Sequence, residues 1–163
     1  MNGYKQRRVK TSLLSIPAAM TTHQIIYLSR FREKPTEEQL TQLLHQARSK
    51  NHRLLITGIL LYADGRVLQV LEGQEAAVRA VYSAITSDKR HHQLVTLVDT
   101  TVPQRVFPDW SMGFTVADSA EYERLTGYVN PEKPLFPLPR AHNASPALMQ
   151  LLRNFVALHP VLA

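Results

Sequence analysis

Residues 56–73 read ITGILLYADGRVLQVLEG. Two apolar runs, 56–62 and 67–72, flank Asp64-Gly65. Both residues of that pair tolerate φ > 0, so the dipeptide predicts a tight turn and the runs predict a β-hairpin. The runs are apolar at successive positions, not only at alternate ones, so both faces of the hairpin need cover.

The flanks supply the rest of the fold. QIIYLS at 24–29 is β-branched and aromatic and predicts a first strand. Thr36 opens a helix, with Gln39 three residues later completing a capping box. Leu40, Leu43, Leu44 and Ala47 give that helix an apolar face as far as Asn51. After the hairpin, residues 74–87 predict a second helix with Val78, Val81 and Ile85 as its stripe. Strands follow at 93–101 and 109–115. The order β-α-β-β-α-β plus a fifth strand is the ferredoxin-like split βαβ pattern. The fold class is α+β: a mostly antiparallel sheet with two helices on one face.

The remaining segments differ in character. Ser119 caps a short helix ending near Gly127, and Pro131, Pro134, Pro137, Pro139 and Pro146 make 129–146 an irregular linker. Ser145-Pro146 starts a helix with Leu148, Leu151, Leu152 and Phe155 on one side. It is expected to pack on the sheet's second face, within the chain or against a partner. The organisation is thus a flexible leader at 1–22, a domain at 23–115 and a C-terminal helical extension at 116–163.

Charge and composition exclude several function classes. The chain of 163 residues has no cysteine, which excludes disulfides and thiol chemistry. No apolar run is long enough to span a membrane. The net charge is +6, but residues 1–22 hold Lys5, Arg7, Arg8 and Lys10 and no acid, leaving +2 for the rest. The basicity belongs mostly to the leader, so nucleic acid is not the expected partner. The leader lacks a clean cleavage site, so the expected location is the cytoplasm.

No GxSxG, Walker, HExxH or Rossmann pattern is present. His91 and His92 are adjacent, a poor geometry for one metal, and read as part of a polar loop. Polar residues inside apolar strands are more telling. Tyr27 and Ser29 share a face of the first strand, Gln69 interrupts VLQVL, and Trp110 and Met112 are two apart on the last strand. A buried glutamine costs a few kcal/mol unless its amide finds partners. The plain alternative is that Gln69 faces solvent and Tyr27 packs as an ordinary strand residue.

IIYLSR at 25–30, Asn51, ITGILLY at 56–62, VLQVLEG at 67–73, SDKRHH at 87–92 and WSMGF at 110–114 occur together in one order. In that combination the chain resembles the blue-light-using-flavin (BLUF) domain family, over about residues 23–115. The resemblance implies a photoreceptor that binds FAD noncovalently and performs no net turnover. It implies that Tyr27 is the photoactive electron and proton donor and that Gln69 bridges it to the flavin edge. It implies that Trp110 and Met112 carry the signal away, with Ser29 close to the network. For cofactor binding it implies Asn51 and neighbouring Lys50 at the ring edge, and Asp88, Arg90 and His91 toward the ribityl phosphate. The helix stripes add Leu43 and Ile85 as walls of a slot for a flat ring. Three positions depart from the family's habit: Lys50 stands where asparagine or histidine is frequent, Ala84 where some members carry arginine, and Leu55 where glycine is frequent.

The expected output is contact with a downstream signalling protein of unknown identity, or a change of homo-oligomer. Two other classes compete. A ferredoxin-like nucleic-acid or regulatory binding module would carry no chromophore. A small flavin oxidoreductase would need a substrate-facing acid, base or nicotinamide site, and the sequence offers none.

Overall fold

The computed structural model describes residues 21–109, 113–116 and 144–157. Five strands form one sheet: β1 (Thr22–Phe31), β2 (Thr57–Ala63), β3 (Arg66–Gly73), β4 (His91–Val102) and β5 (Gly113–Val116). Their order across the sheet is β4-β1-β3-β2-β5. The first four pair antiparallel, and β5 adds to the edge parallel to β2. Helices α1 (Glu37–Arg53) and α2 (Glu75–Thr86) connect the strands, and α3 (Pro146–Ala157) follows. The expected α+β ferredoxin-like architecture is therefore present. None of these helices is long and apolar enough to cross a membrane.

The local signals act as their chemistry requires. Thr36 Oγ1 accepts from the Gln39 N–H at 3.2 Å, and Gln39 Oε1 accepts from the Thr36 N–H at 2.9 Å, closing the capping box. Asp64 and Gly65 have φ of +45° and +77°, the left-handed pair that a two-residue hairpin needs. Gly58 has φ +153°, and a Cβ there would lie 1.9 Å from the Val70 carbonyl oxygen, so β2 and β3 approach closely only with glycine. Beyond α1, Leu55 is held at φ +54° with 73% of its surface exposed.

Several boundaries differ from the sequence reading: β1 runs on through Arg30 and Phe31, and Asp109, expected to begin the last strand, lies in a turn ahead of β5. Thr22, assigned there to the leader, is the first residue of β1 and is buried, because it pairs with Val102. His91 and His92, read as loop, begin β4 opposite Phe31 and Arg30. That early start depends on a bulge. Between Leu28 and Arg30 the β1 strand has one residue where β4 has two, Gln93 and Leu94, and Gln93 takes φ +50°. A second bulge inserts Leu97 between the partners of Ile26 and Tyr27. It reverses the alternation, so that Thr96 and Val98, two apart, look to opposite faces.

The sheet separates two cores. On one face Ile25, Tyr27, Leu60, Val67 and Leu71 pack with Leu40 and Leu44 of α1 and Val78 and Val81 of α2. On the other, Ile26, Ile59, Leu61, Leu68 and Val70 pack with Leu148, Leu152 and Phe155 of α3. Ser145 Oγ accepts from the Leu148 N–H at 3.1 Å and caps α3. The predicted stripe of that helix thus covers the second face from within the chain. The helix expected at 119–127 and most of the proline-rich linker lie outside the described residues.

Candidate functional site

Tyr27, Ser29 and Phe31 alternate along β1 and face the α1/α2 side. Gln69 is the direct β3 partner of Tyr27, and Leu60 of β2 is the next partner in the row. Tyr27 and Gln69 are 1% and 4% exposed. The Tyr27 hydroxyl donates to Gln69 Oε1. The glutamine therefore points into the helix-side core, and the alternative of a solvent-facing Gln69 is removed.

These two side chains form the floor of a cavity of about 250 Å³ between α1 and α2. Its apolar walls include Leu43, Ala47, Leu60, Val81 and Ile85. Asn51, almost fully buried near the end of α1, stands at the wall with exposed Lys50 beside it. Ala84, Asp88, Arg90 and His91 line the side nearest the end of α2. A groove of about 420 Å³ adjoins it, sharing Phe31, Leu43, Gln46 and Arg90 and adding Arg32, Lys89, Gln39 and Gln42. Together the two spaces fall within the range of roughly 300–1,000 Å³ usual for small-molecule sites.

Electrostatics distinguish the floor from the mouth. Burial, and secondarily the neighbouring Tyr82, push the Tyr27 phenol well above its ordinary pKa, so the hydroxyl keeps its proton. The Tyr82 ring lies 5.3 Å from the Tyr27 ring at 51°, and its hydroxyl is 2.6 Å from Thr96 Oγ1. Ser29 Oγ lies 3.2 Å from His91 Nδ1, and Phe31 stacks 4.5 Å from the His91 ring. Burial lowers the His91 pKa, so the ring favours its neutral form. At the mouth, Asp88 accepts from the Arg90 backbone N–H at 2.9 Å and pairs with its guanidinium at 2.6 Å. That guanidinium holds the Asp88 carboxyl below the usual range.

The structure thus gathers Tyr27, Gln69, Leu43, Lys50, Asn51, Ile85, Asp88, Arg90 and His91 around one cavity, with Ser29 tied to it through His91. Trp110 and Met112 lie outside the described residues. Phe31 and Tyr82 were not singled out from the sequence. The same-face rule that joined Tyr27 to Ser29 reaches Phe31, and the helical stripe Val78, Val81, Ile85 includes Tyr82 at one further step. Glu72 was also missed; it is fully buried on the opposite face.

The cavity fits a flat, largely apolar ring with one polar edge. Aliphatic side chains line its walls, the Gln69 amide and Tyr27 phenol form its floor with Asn51 at the wall, and Arg32, Lys89 and Arg90 stand toward the groove beside Glu33 and Asp88, where they could meet a phosphate tail. Among the described residues no cluster of histidine and carboxylate side chains could hold a metal ion.

Comparison with known proteins agrees with this chemistry. The family model described as BLUF, sensors of blue-light using FAD, matches residues 22–113. The blue light- and temperature-regulated antirepressor BluF of Escherichia coli (strain K12) is 34% identical over 83 residues, covering 51% of this chain and 21% of that protein. The photoactivated adenylate cyclase subunit beta of Euglena longa is 30% identical over 100 residues, covering 61% of this chain and 12% of that protein. The chain therefore spans only a minor part of these relatives. Among solved structures, the dark state of the BLUF protein BlrB superposes with TM-score 0.61 and 26% identity over 86% of this chain and 98% of that one. Klebsiella pneumoniae BlrP1 superposes with TM-score 0.68 and 32% identity over 83% of this chain and 33% of that one.

Proposed function

The chain belongs to the BLUF family of flavin-based blue-light sensors, and from that membership we propose which flavin it holds and how its residues convert light into a signal. The domain is the sensor and not a catalyst, since the enzymatic relatives carry their catalytic domains outside the matched stretch.

FAD is the proposed cofactor. The observation supporting it over FMN is the adjoining groove, where Arg32 and Lys89, with Asp88-paired Arg90, outnumber the one carboxylate, Glu33, for phosphates, and Gln39, Gln42 and Gln46 suit a polar adenosine. FMN would leave that groove unused. Chromatography of the flavin released from the purified protein tests the choice; FMN as the sole species would overturn it.

When bound, the flavin supplies blue-light absorption and an excited state able to accept an electron. Tyr27 is the proposed donor of that electron and of its phenolic proton, and Gln69 the bridge along which the proton leaves and returns. On return both are restored to Tyr27, so atoms and electrons balance over the cycle. What remains changed is the Gln69 amide. Its donor and acceptor ends are of similar size, so turning it rewires hydrogen bonds with little steric cost. Asn51 and Lys50 would hold the ring edge, while Asp88, Arg90 and His91 would hold the tail.

The observation that carries this reading is the buried Tyr27–Gln69 hydrogen bond at the cavity floor. The test is an absorption difference spectrum. Blue light should shift the flavin band slightly to the red, with reversal in darkness; a flavin-loaded protein without that shift would sink the reading.

For output we propose contact with another protein, or a change of homo-oligomer. One relative is named an antirepressor, a protein that acts on another regulator. Light-scattering mass measurements in dark and light, beside an illuminated pull-down, separate the two routes.

A further inference from the structure

Gln24 and Glu72 are direct partners across β1 and β3, three residues along each strand from Tyr27 and Gln69. An odd offset turns them to the opposite face of the sheet. The two rungs are alike in kind. Tyr27 donates to Gln69 Oε1 on the cavity side, and Gln24 Nε2 donates to Glu72 Oε1 at 2.8 Å on the far side.

Glu72 does more than pair with Gln24. Its Oε1 and Oε2 accept from the Val106 N–H at 2.9 and 3.1 Å, and Oε2 accepts from the Phe107 N–H at 2.9 Å. The group is fully buried, and Val106 and Phe107 are buried in the α3-side core. Arg105 adds a second tie: its Nη1 donates to Thr57 Oγ1 at 2.9 Å and to the Glu72 carbonyl at 3.3 Å. Residues 105–107 are thus fastened to β2 and β3 by side chains, with water excluded from the Glu72 contact to Val106 and Phe107. Hydrogen bonds in such a setting are strong and directional, and a buried donor left without its acceptor is costly.

We propose that Glu72 is a positioning residue for the signalling step. It locks residues 105–107 to β3, so that a rearrangement at Gln69 displaces the segment leading into β5. The inference rests on the photoreceptor reading above. A strand carries a displacement along its covalent length, but a neighbouring loop follows only where it is tied. Glu72 is the fully buried tie, three residues from Gln69 on the same strand, with Arg105 as the half-buried second one. Without it, light would still switch Gln69, and less of the change would pass from β3 to residues 105–107.

The test uses the full-length, flavin-loaded Glu72→Gln variant. The amide keeps one acceptor oxygen and turns an NH₂ toward groups that are all N–H donors. Trp110 is the sole tryptophan, three residues beyond Phe107 in sequence, so tryptophan emission is assigned to a single side chain of the chain that leaves the tied residues. The red shift should match wild type. Exchange of the Val106 and Phe107 amides in darkness should speed up about tenfold, the size expected for losing one hydrogen bond. The light-induced change in Trp110 emission should fall to about half or less. A purely structural role would leave that change intact at equal red shift. Wild-type Trp110 behaviour beside accelerated exchange overturns the proposal, and so does unaltered exchange at both amides. Should the variant fail to fold, the wild-type protein decides. Exchange at Val106 and Phe107 that differs between light and dark supports the tie, and equal rates refute it. Loss of the red shift in wild type would instead bring down the photoreceptor reading, so the two failures are separable.

Discussion

Tyr27 and Gln69 are held opposite each other by the β1–β3 backbone ladder, and the Tyr27 hydroxyl donates to the Gln69 carbonyl oxygen. The ladder fixes where each side chain starts. Side-chain torsions remain free, so the hydrogen bonds of the pair can be rewired while the β1–β3 ladder stays paired.

Tyr27→Phe should keep the fold and the flavin while abolishing the normal red-shifted state. Phenylalanine fills the same space against Tyr82 and lacks the hydroxyl. Gln69 then loses one hydrogen bond, at a cost of about 1 kcal/mol. Absorption spectra before and after blue light check it; a wild-type photocycle would defeat the donor role.

Gln69→Leu removes both ends of the amide at similar bulk. The flavin should still bind, because its walls and tail contacts come from other residues. The dark spectrum should move slightly and the reversible light shift should vanish. A wild-type difference spectrum in this variant would place the switch elsewhere.

Leu55→Gly should stabilise the protein. A leucine at φ +54° costs roughly 1–2 kcal/mol, and its exposed side chain recovers little of that by packing. Glycine removes the strain but loses more entropy on folding, so the net gain is about 0.5–1 kcal/mol. Melting in darkness should rise by ~2–4 °C. A lower midpoint would show that Leu55 makes a contact worth more than its strain.

His91 predicts a loss of stability in mild acid. Its pKa is lowered from 6.5 by burial, with Arg90 and His92 adding to the effect and Asp88 opposing it. The unfolded chain therefore binds the proton first. The folded state is at no disadvantage above 6.5 and loses stability as pH falls from there toward the lowered value. Asp88 has a separate window, since its lowered pKa loses its contribution only below 3.8. Thermal midpoints measured between about pH 7 and pH 5 should fall in wild type and fall less in His91→Gln. Equal slopes would remove His91 as the cause.

The sequence makes the hairpin and the α3 stripe readable because each depends on neighbours only a few residues apart. Asp64-Gly65 carries its own backbone preference, and Leu148, Leu152 and Phe155 carry their own period. The cavity floor is readable for a different reason: the glutamine inside VLQVL is conspicuous, but the residues alone leave it free to face solvent, and only the joint occurrence of the family's motifs pairs it with Tyr27. The bulges of β4 are not readable, because they exist only relative to β1. Glu72 is equally silent. At the end of VLQVLE it reads as a strand terminus meeting solvent, and nothing local reveals that residues more than thirty positions away bring their N–H groups to it.

The two bulges of β4 also bear on how the protein behaves at high concentration. β4 is the outer strand of the sheet among the described residues, and Val95 and Leu97 are exposed on it. A straight apolar edge of twelve residues would invite another molecule to extend the sheet strand by strand. The extra residues at Leu97 and at Gln93–Leu94 break the even spacing of outward amides and carbonyls, so a straight incoming strand finds its register interrupted twice. The irregularity that turns Thr96 toward Tyr82 thereby works against strand-by-strand extension at an edge that no other strand of the described residues covers.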